Sequence, residues 1–365
     1  MTTKHLPNIT VNVVLAPLPG AEAGFSTVLL MVPQATNSLN GERVEEYISF
    51  ADMETAQTAG YISAATLEAG RAAFAQRDGR GRRITSFKLG RVDLAGGETY
   101  ATGLTAIIAA DDDFYGLAIS PRTDTEMALV SVTVEALTTK NLLFAMQGDD
   151  ASWLDAGVPA GLSTTEDNER TIGCYHDTDS EWMDVAYLCN RLIYDPDVQS
   201  AGWVYAPLRG IDAYATEPTA AQRVLALANE ANLGLPLGGS DFVIDKGTNM
   251  ASRPIEEIVT ADWFSTRLRE RTAALAVAHA ARGERVIMDT SGQLKILTVI
   301  EALLQQGVGA GHFIAGQTEA VAEAITSDDL TARELRFTVR AQDATTGRLF
   351  TFDCNFSREP IADDA

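Results

Sequence analysis

Between about residues 25 and 245, short runs of branched aliphatic residues alternate with longer stretches of helical spacing, and this alternation constrains the fold more than any other feature. It predicts an α/β unit with a partly parallel sheet, because parallel neighbours need a long crossover that is usually a helix. Strands are expected at 27–32, 84–90, 116–120, 141–146 and 171–175, and helices at 64–76, 123–138 and 219–231. Thr123 with Glu126 and Thr219 with Gln222 have the spacing of capping boxes, which satisfy orphan N–H groups in a first turn.

Past residue 245 the periodicity lengthens. Asp262 is expected to cap a helix reaching about residue 282, with Phe264, Leu268, Leu275 and Ala278 on its apolar face. Arg267, Arg269, Glu270 and Arg271 fall on the polar face, and Gly283 ends the helix. A short strand is expected at 286–288. A second helix follows at 293–306, with Leu297, Ile300 and Leu304 on one stripe and Gly307 as its stop.

The C-terminal end reads as a β-hairpin. Leu335, Phe337 and Val339 alternate with Arg336, Thr338 and Arg340, and after Thr346-Gly347 the residues Phe350, Phe352, Cys354 and Phe356 repeat the period of two. A two-stranded ribbon alone is marginal in water and its open edges recruit compatible strands. One candidate lies at the other end of the chain, where Ile9, Val11 and Val13 alternate with Thr10, Asn12 and Val14 before Pro17 and Pro19. The pattern fits two arrangements equally, closure within one subunit and strand donation between subunits.

At 365 residues the chain can hold two or three domains and bury a large core without staples. Its net charge of −22 argues against a general nucleic-acid or anionic-membrane surface. Cys174, Cys189 and Cys354 have no disulfide-framework or Cys-x-x-Cys spacing and read as reduced packing residues. Thr10, Asn12, Pro17 and Pro19 break up what superficially resembles a secretion signal, and no apolar run reaches the ~18 residues of a membrane span. An intracellular protein or a particle component is expected.

No metalloprotease His pair, phosphate loop or nucleophile elbow is present. Gly307, Gly309 and Gly311 follow a helix where a dinucleotide loop would follow a strand, so they read as a helix-ending turn. The best catalytic cluster is Cys174, His176, Asp177 and Asp179 at a strand end, and a polar loop in which an Asp or Ser180 caps the next helix explains it better. Asp111, Asp112 and Asp113 read as a solvated turn. Arg77, Arg80, Arg82 and Arg83 form the one basic concentration, able to meet an acidic partner surface.

The segment Ala72-Ala73-Phe74-Ala75-Gln76, a polar turn, and a strand ending Gly90-Arg91 resemble the helix-turn-strand element of contractile phage tail sheath proteins, the myovirus sheath family in its short form. Further short similarities follow in order at 124–140, 142–147 and 170–176, around Asp184 and Trp203, at Ile244-Asp245 and Asp262-Trp263-Phe264, and through the late helices, Gly307-Val308 and the terminal hairpin. One departure is the Arg/Gly turn at 78–83, where relatives tend to have proline.

The resemblance implies a structural, non-enzymatic subunit that forms hexameric rings stacked helically around a tail tube and contracts to drive that tube through a host envelope. It implies an α/β fold, α+β overall: an N-terminal strand arm at 1–20, an α/β outer domain at 21–245, an inner tube-facing domain at 246–331 and a C-terminal hairpin arm at 332–365. Ile9, Val11 and Val13 would then be donated to a neighbour, and Leu335, Phe337, Val339, Phe350 and Phe352 would line the accepting hairpin. Arg267, Arg269 and Arg271 are the tube-facing candidates. Implied partners are other copies, the tube protein, and baseplate and tail-terminator proteins, with no cofactor or metal, no direct nucleic acid, no membrane insertion, and a place in the virion after assembly in host cytoplasm. The alternatives are a hydrolase or metal-dependent enzyme using His176, Asp177 and Asp179, and another tail or baseplate component.

Overall fold

A computed structural model describes residues 24–138, 140–155, 168–237 and 241–344. The first half runs β1 (Val28–Pro33), β2 (Val44–Tyr47), α1 (Phe50–Thr58), α2 (Ala64–Ala75), β3 (Phe87–Val92), α3 (Tyr100–Ala110), β4 (Gly116–Ile119), α4 (Asp124–Glu135), β5 (Leu143–Gly148) and α5 (Ser152–Asp155). The second half runs β6 (Thr171–Tyr175), α6 (Met183–Arg191), β7 (Pro207–Leu208), α7 (Ala220–Ala228), β8 (Ala231–Asn232), β9 (Gly234–Leu237), β10 (Asp241–Ile244), α8 (Ile255–Ala281), α9 (Thr290–Ala310), β11 (Phe313–Ala322), α10 (Ser327–Ala332) and β12 (Phe337–Asp343).

Seven strands form one mixed sheet in the order β2-β3-β1-β4-β5-β6-β8, parallel throughout except for β2 at the edge. Helices cover both faces. A Cβ added at Gly116 would meet Val28 and the α6 side of the sheet at Leu192, whereas one at Gly90 would meet Leu29 and Ile107 of α3. Val28 and Leu29 point to opposite faces, so α6 and α3 do too. Double coverage explains why β1, β4 and β5 are buried along almost their whole length and read as continuous apolar runs. β7, β10 and β9 make a small antiparallel sheet beyond β6.

All five expected strands form, as do the helices at α2, α4 and α7. Thr219 and Gln222 make both bonds of their capping box, while Thr123 stands at the start of α4 without its side-chain bond. Three expectations are corrected beyond residue 245. α8 begins at Ile255, after Pro254, so Asp262 lies inside the helix and caps nothing. Residues 286–288 form no strand. α9 runs through Gly307 and stops at Gly311, whose φ of +84° suits a glycine C-cap. Gly307 serves packing instead, since a Cβ there would come within 2.6 Å of the Phe313 ring.

Candidate assembly site

α8 attaches to the amino end of the parallel sheet through residues that immediately precede strands. Arg170, one residue before β6, donates from Nη1 and Nη2 to the two carboxylate oxygens of Asp262 on α8, at 2.7 and 2.8 Å. Tyr115, one residue before β4, donates its hydroxyl to the same carboxylate at 2.8 Å. Asp262 is buried, and its two partners satisfy it with the planar fork geometry that makes Arg–carboxylate pairs specific. Nearby, Arg253 reaches Glu169 at 2.6 Å and Glu257 at 3.4 Å, tying the start of α8 to the same edge.

One turn further along α8, Asp197 gathers three side chains. Trp263 donates its indole N–H at 2.9 Å, Arg267 donates from Nε and Nη2 at 2.9 and 2.7 Å, and Gln306 of α9 bonds the Asp197 carbonyl at 3.0 Å. Burial alone would raise the Asp197 carboxyl, but the Arg267 and Trp263 hydrogen bonds outweigh it and hold the group below the usual carboxylate range. The Arg267 guanidinium also bonds Glu270 and lies 5.5 Å from the Phe25 ring, just ahead of β1. His312, between α9 and β11, stacks on Trp263 with ring centres 4.5 Å apart. Its Nε2 faces the Pro196 carbonyl at 2.7 Å, which can only accept, so Nε2 carries the proton and Nδ1 accepts from the Thr260 hydroxyl at 2.8 Å. Burial lowers the His312 pKa and keeps this neutral tautomer.

From this junction β11 and β12 extend as an antiparallel pair, joined at their root by the Ala344 N–H to the His312 carbonyl at 2.9 Å. Phe337, Val339 and Ala341 pack toward the core from alternate positions of β12, while Arg340 is exposed. Leu335 is half-buried and lies just ahead of the strand. Among the described residues no further strand pairs with this sheet. The sequence pattern missed β11, the strand that pairs with β12, because Ala315, Gly316 and Gln317 interrupt any alternation. Asp343 ends β12 against Phe313; burial first, then the charges of Glu257 and Glu256, push its carboxyl up to about 7.

Among the expected site residues, Ile9, Val11, Val13, Phe350 and Phe352 lie outside the described residues. Arg267 does not stay on the polar face of α8: it is buried and its guanidinium is spent on Asp197 and Glu270. Arg269 is exposed, and Arg271 bonds Gln306 across to α9. The charged run 267–271 hides this split because a 3.6-residue period turns its members to different sides.

In the cluster at the carboxyl end of β6, His176 Nδ1 lies 3.6 Å from Asp177 Oδ1, while Asp179 turns to Arg122. His176 is buried, facing the Asp212 carbonyl at 3.0 Å through Nε2 and accepting from the Thr178 N–H at 3.1 Å through Nδ1, between the rings of Tyr214 and Phe242. Asp177 accepts from the Thr216 N–H at 2.7 Å, and Asp179 pairs with Arg122 at 3.0 Å. Among the described residues no group of three His, Cys, Asp or Glu side chains is placed to hold a metal ion. Cys174 and Cys189 are buried free thiols whose pKa burial pushes well up. No described helix is long and apolar enough to cross a membrane.

This arrangement of an α/β body, a helical pair and a two-stranded sheet is shared with solved structures of contractile systems. A chain of the anti-feeding prophage baseplate superposes with a TM-score of 0.62 at 11% identity, covering 97% of this chain and 100% of that one. The helical sheath of the anti-feeding prophage in its contracted state gives 0.60 at 13%, covering 98% and 100%. A sheath tail protein from Listeria innocua gives 0.53 at 8%, covering 90% and 96%. No protein-family model and no curated protein matches. The chain has the contractile-sheath fold over nearly its whole length.

Proposed function

We propose that this protein is a structural subunit of a contractile sheath, assembling with copies of itself into hexameric rings around a tube and contracting to drive that tube through an envelope. The observation that carries the reading is a sheath fold spanning nearly the whole chain, with a β11–β12 sheet that no further strand joins among the described residues. Open edges are templates for strand addition, and a donated strand satisfies a full row of backbone groups at once. In this reading the segment at 9–15 pairs with the β11–β12 sheet of a neighbour, the region 21–245 faces outward, and 246–331 faces the tube. Baseplate, tail-terminator and tube proteins are its further partners, and Arg269 and Arg271 are the residues of the original trio still available to a tube. The assembly belongs to a virion tail or a related injection particle and performs no catalysis. His176 is buried with both ring nitrogens on backbone groups and Asp179 is paired with Arg122, so the hydrolase alternative draws no support from this cluster.

Negative-stain electron microscopy of the concentrated full-length protein tests the reading, with hollow cylinders or stacked rings as the expected result. Deleting residues 1–15 is expected to leave a folded monomer that no longer polymerises. Only small closed oligomers in the intact protein would overturn the proposal.

A further inference from the structure

Copies of a chain with net charge −22 repel one another, so close packing needs local patches of opposite sign. The loop between α2 and β3 supplies one. Arg77, Arg80, Arg82 and Arg83 are all exposed there, at the amino end of the sheet. Beneath them the buried Asp78 accepts from the N–H groups of Arg80 and Arg82 at 2.9 and 2.7 Å and from Arg82 Nε at 2.6 Å, which fixes the turn with its guanidinium groups outside. Gln76 bonds both backbone groups of Arg209, bringing a fifth exposed arginine beside the loop. The side chains of Arg77, Arg80, Arg83 and Arg209 have no carboxylate partner among the described residues. Several arginines elsewhere are matched to acids, as in Arg43–Glu98, Arg122–Asp184, Arg170–Asp262 and Arg267–Asp197.

The opposite end of the sheet is acidic. Asp149 and Asp150 directly follow β5, Asp124 opens α4 after β4, and Asp179 follows β6; all four are exposed. Asp150 accepts from the Ser152 N–H and Asp179 shares Arg122 with Asp184, while Asp149 is free of any partner among the described residues. A strand of this length sets the two ends roughly 17–20 Å apart.

The geometry points to a head-to-tail contact in which the arginine loop of one copy docks on the carboxylate end of the α/β body of a second copy. Two unlike patches at opposite ends make a heterologous contact, the kind that closes into rings or continues into filaments. A second copy as the occupant rests on the sheath reading; the charge complementarity stands by itself.

Charge swapping in the full chain tests it. R80E/R83E turns the basic patch acidic, and D149K/D150K turns the acidic patch basic. Each variant alone is expected to lose self-association by about tenfold or more in sedimentation velocity, since like charges then face each other. An equimolar mixture restores it, because each altered patch finds its complement on the other variant. General repulsion predicts something different: the first variant, more negative than the parent, weakens while the second strengthens. That outcome, unchanged association in either variant, or loss without rescue on mixing overturns the contact. Hollow cylinders formed by both single variants would overturn the contact and leave the sheath reading standing. Swappable linear oligomers of the parent without cylinders would do the reverse.

Discussion

The two ends of the central sheet are built from the same strands and do opposite work. At the carboxyl end, where α/β proteins commonly bind ligands, His176 is buried and bonded to backbone groups, and Asp177 and Asp179 turn to separate partners. At the amino end, Tyr115, Arg170 and Phe25 reach outward to α8 and hold the unit that carries β11 and β12. Both ends hold buried ion pairs, Arg122–Asp184 at the carboxyl end and Arg170–Asp262 at the amino end, but the amino-end pair is the one that fastens α8 to the sheet.

The sharpest way to break this comparison is Asp262→Ala. It strands the Arg170 guanidinium and the Tyr115 hydroxyl and is expected to cost about 3–5 kcal/mol in denaturant unfolding, the range for removing one member of a buried pair. A loss under about 1 kcal/mol would mean that apolar packing alone docks α8. Next in size, a double-mutant cycle of Asp197→Ala with Arg267→Ala is expected to give a coupling of about 1.5–3 kcal/mol, because the two groups share three hydrogen bonds with little solvent between them. Additive costs would make Asp197 a bystander.

Acidity separates two carboxylates of the attached unit. The depressed Asp197 contributes stability that is present above the usual carboxylate range and lost as pH falls through its lowered value. The raised Asp343 has the opposite sign: its contribution is full below the unfolded carboxylate value and lost as pH rises through about 7. Amide exchange along β12 is therefore expected to quicken above neutrality, and Asp343→Asn to flatten that limb while sparing the acid one. An identical rise in the Asn variant would assign the effect to another group. The smallest effect belongs to the carboxyl end, where Asp149→Lys alone is expected to shift stability by no more than about 0.5 kcal/mol, as for an exposed site without partners. A larger loss would show that this end also carries load.

The strands of the body were legible because a strand buried on both faces is mostly apolar: β1 and β4 are so throughout, and β5 and β6 admit buried polar side chains at Gln147 and Thr171. Capping chemistry was legible at Thr219 and misleading at Asp262, since an aspartate ahead of an apolar helical run reads the same whether it caps a turn or reaches across to Arg170. Nothing local marked Asp197 or His312. Their partners lie 70 residues away in Arg267 and 52 away in Thr260, separations over which periodicity carries no information. β11 escaped because small residues and Gly316 leave it with no alternating face.

By itself the sequence determined the α/β alternation, the helical pair and the period-two strand at Phe337 and Val339, because hydrophobic spacing is a property of neighbours along the chain. Only the tertiary structure decided which charges are spent inside and which are offered outside. Arg267 and Arg269 are two residues apart and share a composition, yet one is locked onto Asp197 and the other faces solvent. The difference comes from the α8 rotation against the sheet, which burial of Trp263, Phe264 and Leu268 imposes on the helix as a whole.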